Sequence, residues 1–233
     1  MYKRILLKLS GEQLSGTLDH GIDPEFVGWL AQEIKKAAST GAQIAIVVGG
    51  GNWLRGAAYA AHGLERATAD YMGMLATITN GLALMDMLES QGVSVRLQSN
   101  LRMEQVAEPF IRRRAIRHME KGRVVIIAGG TGKPYITTDT AAVSAALELG
   151  CDAVLKATKV DGIYDKDPMK HDDAIRKETM THQEALASPD IQVMDRAALG
   201  MAADGKMPIV IFKLDEDTIS RVVSGDNIGT HVR

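Results

Sequence analysis

Six apolar runs rich in β-branched residues punctuate the chain: Ile5–Leu9, Ile44–Val48, Val93–Leu97, Val124–Ala128, Ala153–Leu155 and Ile209–Phe212. They lack the polar alternation of a half-exposed strand, so each predicts a strand covered on both faces. Between them the spacing turns helical. "DPEFVGWLAQEIKKAAS" predicts a helix with Asp23 as N-cap and Pro24 in the first helical position. "GLERATADYMGMLATITNGLALMDMLESQG" predicts one long helix from Gly63 to about Ser90, stopped at Gly92. "TTDTAAVSAALELG" opens another helix at Asp139, and "THQEAL" carries a capping box, Thr181 with Glu184. Strand and helix in alternation predict an α/β sandwich with a central, mostly parallel sheet.

Open parallel sheets bind ligands beyond the carboxyl ends of their strands. Those ends carry glycine here: Ser10-Gly11 after the first run, Gly49–Gly51 after the second and Gly129-Gly130 after the fourth. One such cluster is as well explained by a turn, whereas three on one edge predict a site. Two familiar nucleotide signatures fail. The third glycine of G-x-G-x-x-G would fall on Leu54, and around "GGTGKP" a Walker loop would need glycine at Ile127 and Ser or Thr at Pro134. Successive glycine amides still form an anion-binding concavity, and Lys8 and Arg55 flank two of the clusters. A solvated strand end is the simpler account of a lysine. Lys8, however, lies inside "ILLKLSG", where burial without an anionic partner is costly. Phosphate is the expected ligand.

Composition narrows the field further. The 233 residues carry a formal net charge of −2, which argues against a protein built mainly to bind nucleic acid. A single cysteine, Cys151, excludes an intrachain disulfide and a cysteine zinc site, and its apolar neighbours predict a buried thiol. The six histidines lack metal-ligand or triad spacing and are expected mostly at the surface. No apolar run reaches membrane-spanning length, and "MYKRILLKLSG" is too short in its apolar part for a signal peptide, so a cytoplasmic location is expected. Taken alone, Asp139 reads as a helix N-cap, and Lys156 equally as a second cation or a solvated strand end. "FIRRRAIRHMEKGR", 110 to 123, reads as a solvated basic helix face.

"KLSGE" at 8–12, "GGGNWLRG" at 49–56, "ATADYMGMLAT" at 67–77, "TGKPYITTDTAA" at 131–142 and "KATKVDGIYDKDP" at 156–168 occur in one order along nearly the whole chain. Together they resemble the bacterial uridylate (UMP) kinases, a branch of the amino-acid kinase family unrelated to the P-loop nucleoside monophosphate kinases. The resemblance implies a three-layer α/β/α sandwich and one amino-acid kinase domain over 1–233, in which 1–150 serves mainly UMP and the phosphates and 151–233 mainly ATP. It implies transfer of the γ-phosphoryl group of ATP to UMP, with Mg²⁺ carried by ATP rather than by a protein metal site. Lys8 would touch the transferring group, and Gly50 would lie on the UMP side. Leu9, Ser10, Gly11, Gly51 and Arg55 would lie on the ATP side, with Lys156 as a further cation. Asp139 would orient the lysines.

By the same resemblance Asp70 accepts the vicinal ribose hydroxyls, although a solvated helix face explains an Asp there as simply. Thr131, Gly132, Lys133, Pro134, Tyr135, Ile136, Thr137 and Thr138 would form the uridine loop, with Tyr135 either against the base or in the core. Relatives usually carry Asn where Lys133 stands. Thr158, Tyr164 and Asp167 would contact ATP. A homohexamer activated by GTP and inhibited by UTP is also implied, with Arg96 or Arg123 as effector contacts. Two alternatives stay open: a family member phosphorylating a carboxylate or carbamate acceptor, and a non-catalytic nucleotide-binding regulator.

Overall fold

The computed structural model describes residues 1–54, 63–166, 171, 173–188 and 194–233. The first half runs β1 (Arg4–Leu9), α1 (Gly11–Leu14), α2 (Pro24–Ala38), β2 (Gln43–Val48), α3 (Arg66–Ser90), β3 (Val95–Ser99), β4 (Glu108–Pro109), α4 (Arg112–Glu120) and β5 (Val124–Ala128). The second half runs α5 (Thr138–Leu149), β6 (Ala153–Thr158), β7 (Ile163–Tyr164), β8 (Arg176–Lys177), β9 (Thr179–Met180), α6 (His182–Ala187), α7 (Arg196–Asp204), β10 (Ile209–Lys213), α8 (Thr218–Ser224) and β11 (Thr230–Val232). Nine strands form one sheet in the order β4-β3-β5-β2-β1-β6-β10-β11-β9. Every pairing in it is parallel except β10 with β11. β7 and β8 make a separate antiparallel ribbon.

Both faces of the sheet are covered, which is why its strands read as unbroken apolar runs. Ile5, Leu7, Leu9, Ile44, Ile46 and Val48 pack under α2, α3 and α8. Leu6, Ala45, Val47, Val125 and Ile127 point the other way, against α4, α5 and α7. Each fully buried Leu or Ile contributes about 1.5–3 kcal/mol. The alternation matters for the site, because Lys8 follows Leu7 and therefore faces α5. Cys151 is buried, and burial pushes its thiol pKa up to about 12.

Most predicted boundaries hold. Asp23 caps α2 by accepting from the amides of Glu25 and Phe26 at 3.0 and 3.3 Å. Thr181 and Glu184 form the expected capping box at α6. Four boundaries move, among them the fifth run, which extends past Leu155 to Thr158. The long helix starts at Arg66 rather than Gly63, whose φ of +95° is not helical. The third strand starts at Val95 rather than Val93, since the Val93 amide still donates to Leu88 O at the end of α3. Asp139 is not the cap of α5: Thr137 is, its hydroxyl accepting from the amides of Asp139 and Thr140 at 3.1 and 3.4 Å. Asp139 sits in the first turn instead, with its carboxylate free for other partners.

Candidate active site

The glycine-bearing strands are neighbours, β5-β2-β1, so their carboxyl ends form one edge. The approach there is close. A Cβ on Gly11 would lie 2.6 Å from Gly49 O and 2.7 Å from Gly51 N, and one on Gly50 would lie 2.7 Å from Gly73 O in α3. Only glycine lets these backbones meet. Behind them sits a pair of buried amides that sequence reading missed. Asn52 Nδ2 donates to Asn80 Oδ1 at 2.9 Å, and Asn80 Nδ2 donates back to Asn52 Oδ1 at 2.7 Å. Asn80 also donates to Gly49 O at 2.7 Å, and Asn52 to Gly21 O at 2.7 Å. The triple-glycine turn is thus held by α3 and by the segment before α2.

Beside the glycines lies a buried charge cluster. Asp139 Oδ2 accepts from Lys156 Nζ at 2.5 Å, and its Oδ1 lies 2.7 Å from Lys8 Nζ. The Lys8 contact is an ion pair without well-aligned hydrogen-bond geometry at Oδ1. Burial pushes the Asp139 carboxyl up, but Lys8 and Lys156 together outweigh it and hold it below the ordinary carboxylate value. Burial depresses the Lys156 ammonium, with Asp139 opposing and Lys8 reinforcing the shift. Two ammonium groups share one carboxylate directly, with the Asp195 charge also acting on Lys156, at a glycine edge beside the N-terminus of α5. Anionic oxygen is what such a place accepts.

Asp195, which caps α7 and which sequence reading also missed, ties the same corner down. It accepts from the Thr137 hydroxyl, from Thr140 Oγ1 at 3.0 Å and from the Ala198 amide at 2.8 Å. The cap of α5 is therefore anchored to the cap of α7. An Asp before a helical run was visible in "VMDRAAL", but its partners lie far away in sequence.

A cavity of about 130 Å³ lies on the α3 side, walled by Gly50, Gly51, Asp70, Ile136, Thr137 and Thr138 among others. Asp70 takes the amide of Tyr135 on Oδ2 at 2.8 Å and Arg66 Nε on both oxygens at 2.9 Å. Thr131, Lys133, Pro134 and Tyr135 are not on this wall. Tyr135 is exposed rather than core, with its ring under the Arg66 guanidinium at 5.5 Å. The Lys133 amide donates to Thr131 Oγ1 at 3.4 Å, Lys133 itself is exposed, and Gly132 turns the loop with φ +73°.

A larger cavity of about 550 Å³ opens across β1, walled by Gln13, Thr17, Phe26, Thr158, Lys159 and Lys213 among others. Thr158 is the predicted donor-side residue on this wall. Leu9 is fully buried, so it has only backbone to offer a ligand, and Ser10 donates its amide to Gln13 Oε1 at 2.8 Å. Tyr164 is on the β7–β8 ribbon, its hydroxyl donating to Asp161 at 2.6 Å. Arg55 and Asp167 lie outside the described residues. The basic stretch forms α4, whose Ala115 and Met119 are buried while its arginines are exposed, as predicted.

A parallel sheet with a glycine edge, two cavities flanking it and a lysine–aspartate–lysine cluster between its layers define a phosphate-handling α/β enzyme. The chain belongs to the amino acid kinase family, whose sequence profile matches residues 3–213. A uridylate kinase of Xanthomonas oryzae pv. oryzae is 52% identical over 233 residues, covering all of this chain and 97% of that protein. The crystal structure of UMP kinase from Bacillus anthracis superposes with a TM-score of 0.95 at 36% identity, covering all of this chain and 96% of that one. UMP kinase from Ureaplasma parvum gives a TM-score of 0.92 at 32% identity, over all of this chain and 99% of that one.

Proposed function

We infer that this protein is a uridylate kinase, an ATP-dependent phosphotransferase that converts UMP and ATP to UDP and ADP for pyrimidine nucleotide biosynthesis. The observation that carries this is likeness to uridylate kinases at 52% identity across the whole chain. The site geometry supplies the physical reason. Bringing two phosphate charges to about 4 Å costs on the order of 4 kcal/mol per pair at an effective dielectric near ~20. Lys8, Lys156 and the amides of Gly50 and Gly51 offset that repulsion, the Gly49 amide being committed to Leu9 O at 3.0 Å. The attacking atom is an oxygen of an already ionised phosphate, so positioning and charge stabilisation suffice without a general base.

In this reading Lys8 holds the transferring group and Asp139 fixes the two lysines. Gly50, Asp70 and residues 131–138 take UMP on the α3 side. Leu9, Ser10, Gly11, Gly51, Arg55, Thr158, Tyr164 and Asp167 take ATP on the other side. Residues 1–150 then serve mainly UMP and the phosphates, and residues 151–233 mainly ATP. Among the described residues no group of three or more His, Cys, Asp or Glu is placed to hold a metal, and both Asp139 oxygens face lysines. Mg²⁺ fits best as a passenger of the ATP phosphates, where it neutralises developing charge. A cytoplasmic homohexamer, activated by GTP and inhibited by UTP, belongs to the same reading. Arg96 or Arg123 would be its effector contact, and a fully active Arg96→Ala or Arg123→Ala enzyme with an unchanged GTP response removes that residue from the assignment.

The test is ADP release with Mg·ATP and, separately, UMP, CMP, AMP, acetylglutamate and aspartate. Strong turnover with UMP alone is expected. Equal turnover with CMP, turnover with a carboxylate, or none with any acceptor refutes the assignment.

A further inference from the structure

We propose that Arg66 and Tyr135 form a latch over the ribose position, with Arg66 a positioning residue that sets ribose discrimination through Asp70. The proposal rests on the uridylate kinase reading and on Asp70 facing the acceptor ribose.

Arg66 and Asp70 stand one turn apart on α3, which places their side chains together. Arg66 Nε lies 2.9 Å from each Asp70 oxygen, so it fixes the plane of the carboxylate. Tyr135 reaches the same group from the loop, its amide donating to Oδ2 at 2.8 Å. The loop is held a second time, since the Arg66 guanidinium stands 5.5 Å over the Tyr135 ring. Tyr135 also has φ +66°, a conformation a tyrosine keeps only when its surroundings impose it. Arg66 and Asp70 are those surroundings.

The cavity beside them, lined by Asp70 and by Ile136 just after Tyr135 in the loop, is about 130 Å³, below the ~300 Å³ at which small-molecule sites begin. A nucleotide therefore enters only as the loop lifts. A carboxylate offers about four lone-pair sites, and here one on each oxygen serves Arg66 and a further one on Oδ2 serves the Tyr135 amide. Lifting the loop exchanges that amide for a ribose hydroxyl, while Arg66 keeps the acceptor plane in place. Discrimination between a ribose and a deoxyribose then passes through Arg66, although Arg66 itself touches no substrate.

The test compares UMP with dUMP at saturating Mg·ATP in the wild type, Arg66→Ala, Arg66→Lys and Tyr135→Ala, with binding rates for UMP from stopped-flow mixing. A hydrogen bond to a charged group is worth enough that Arg66→Ala should raise the UMP KM by about tenfold or more and shrink the UMP/dUMP preference similarly. The loss should lie mainly in KM for the acceptor, with KM for ATP unmoved. Arg66→Lys keeps the charge without the planar fork and should recover only part of the preference. Tyr135→Ala should speed both association and dissociation of UMP. Unchanged preference in Arg66→Ala, full recovery by Arg66→Lys, or wild-type rates in Tyr135→Ala each overturn the latch while leaving UMP turnover intact. A wild type that does not use UMP overturns the underlying reading and the latch with it.

Discussion

Lys8 and Lys156 are register partners across the parallel ladder between β1 and β6. Two ammonium groups therefore emerge side by side on one face of the sheet, an arrangement that is destabilising by itself. Asp139, arriving from α5, is the counter-charge that makes it tolerable. In the proposed reading the pair is kept close for the phosphates it would hold.

Asp139→Asn should accordingly damage both folding and function. Removing one partner of a buried ion pair costs about 3–5 kcal/mol, which urea unfolding will read as a lowered midpoint. The turnover number should fall on the order of 100-fold, in the range of losing one charge-stabilising group. A variant with the wild-type midpoint contradicts the neutralising role.

The pH dependence follows from two shifts of known direction. The folded Asp139 carboxyl lies below its unfolded value of 3.8, so its stabilisation is fully present above 3.8 and is lost as pH falls through the folded value. The stability gap between wild type and Asp139→Asn should be flat above about pH 5 and close in stronger acid. Lys156 is depressed below 10.5, so its burial penalty persists until pH rises through the folded value. Turnover should decline on the alkaline side before the ordinary lysine range. Lys156→Arg, with a guanidinium that stays protonated, should remove that decline. A pH–rate profile of the two enzymes decides it.

Asn80→Ala should leave Asn52, the Trp53 indole N–H and Gly49 O without the partner they share. At about 1–3 kcal/mol for each buried group left unsatisfied, the thermal midpoint should drop by many degrees. Asn80→Asp keeps the acceptor for Asn52 and Trp53 but sets a buried carboxylate oxygen against Gly49 O and Asn52 Oδ1, both acceptors. Circular dichroism melts should place it no higher than Asn80→Ala.

Two glycine-to-alanine exchanges should have opposite signs. Gly11→Ala forces a methyl against Gly49 and Gly51 backbone and should cost about 1–3 kcal/mol with loss of turnover. Gly200→Ala, in the interior of α7 with nothing within 4 Å of the new Cβ, should stabilise by about 0.5–1 kcal/mol. Equal melting temperatures for the two would show that crowding at the glycine edge is not limiting.

The sheet was legible in sequence because strands covered on both faces announce themselves as continuous apolar runs, and the three glycine clusters marked one edge. β4, β7, β8, β9 and β11 were not, since two or three residues carry no periodicity. The choice of cap in "TTD" was also hidden. Thr137 and Asp139 both suit a cap, and the selection is made by Lys8, Lys156 and Asp195, which arrive from elsewhere in the chain. Asn80 looked like one polar residue of a long helix, and its meaning lies in a partner 28 positions earlier. Residues that hold other residues leave little local trace.

The central position of β1 has a consequence for how the protein is made. Ile5 waits for Ala153 before its second ladder exists, and at about 5–20 residues per second the ribosome needs on the order of ten seconds to deliver that neighbour. During that time an apolar strand end bearing Lys8 stands half-paired and open to wrong partners. The centre of the sheet is therefore completed only once the second half of the chain has emerged.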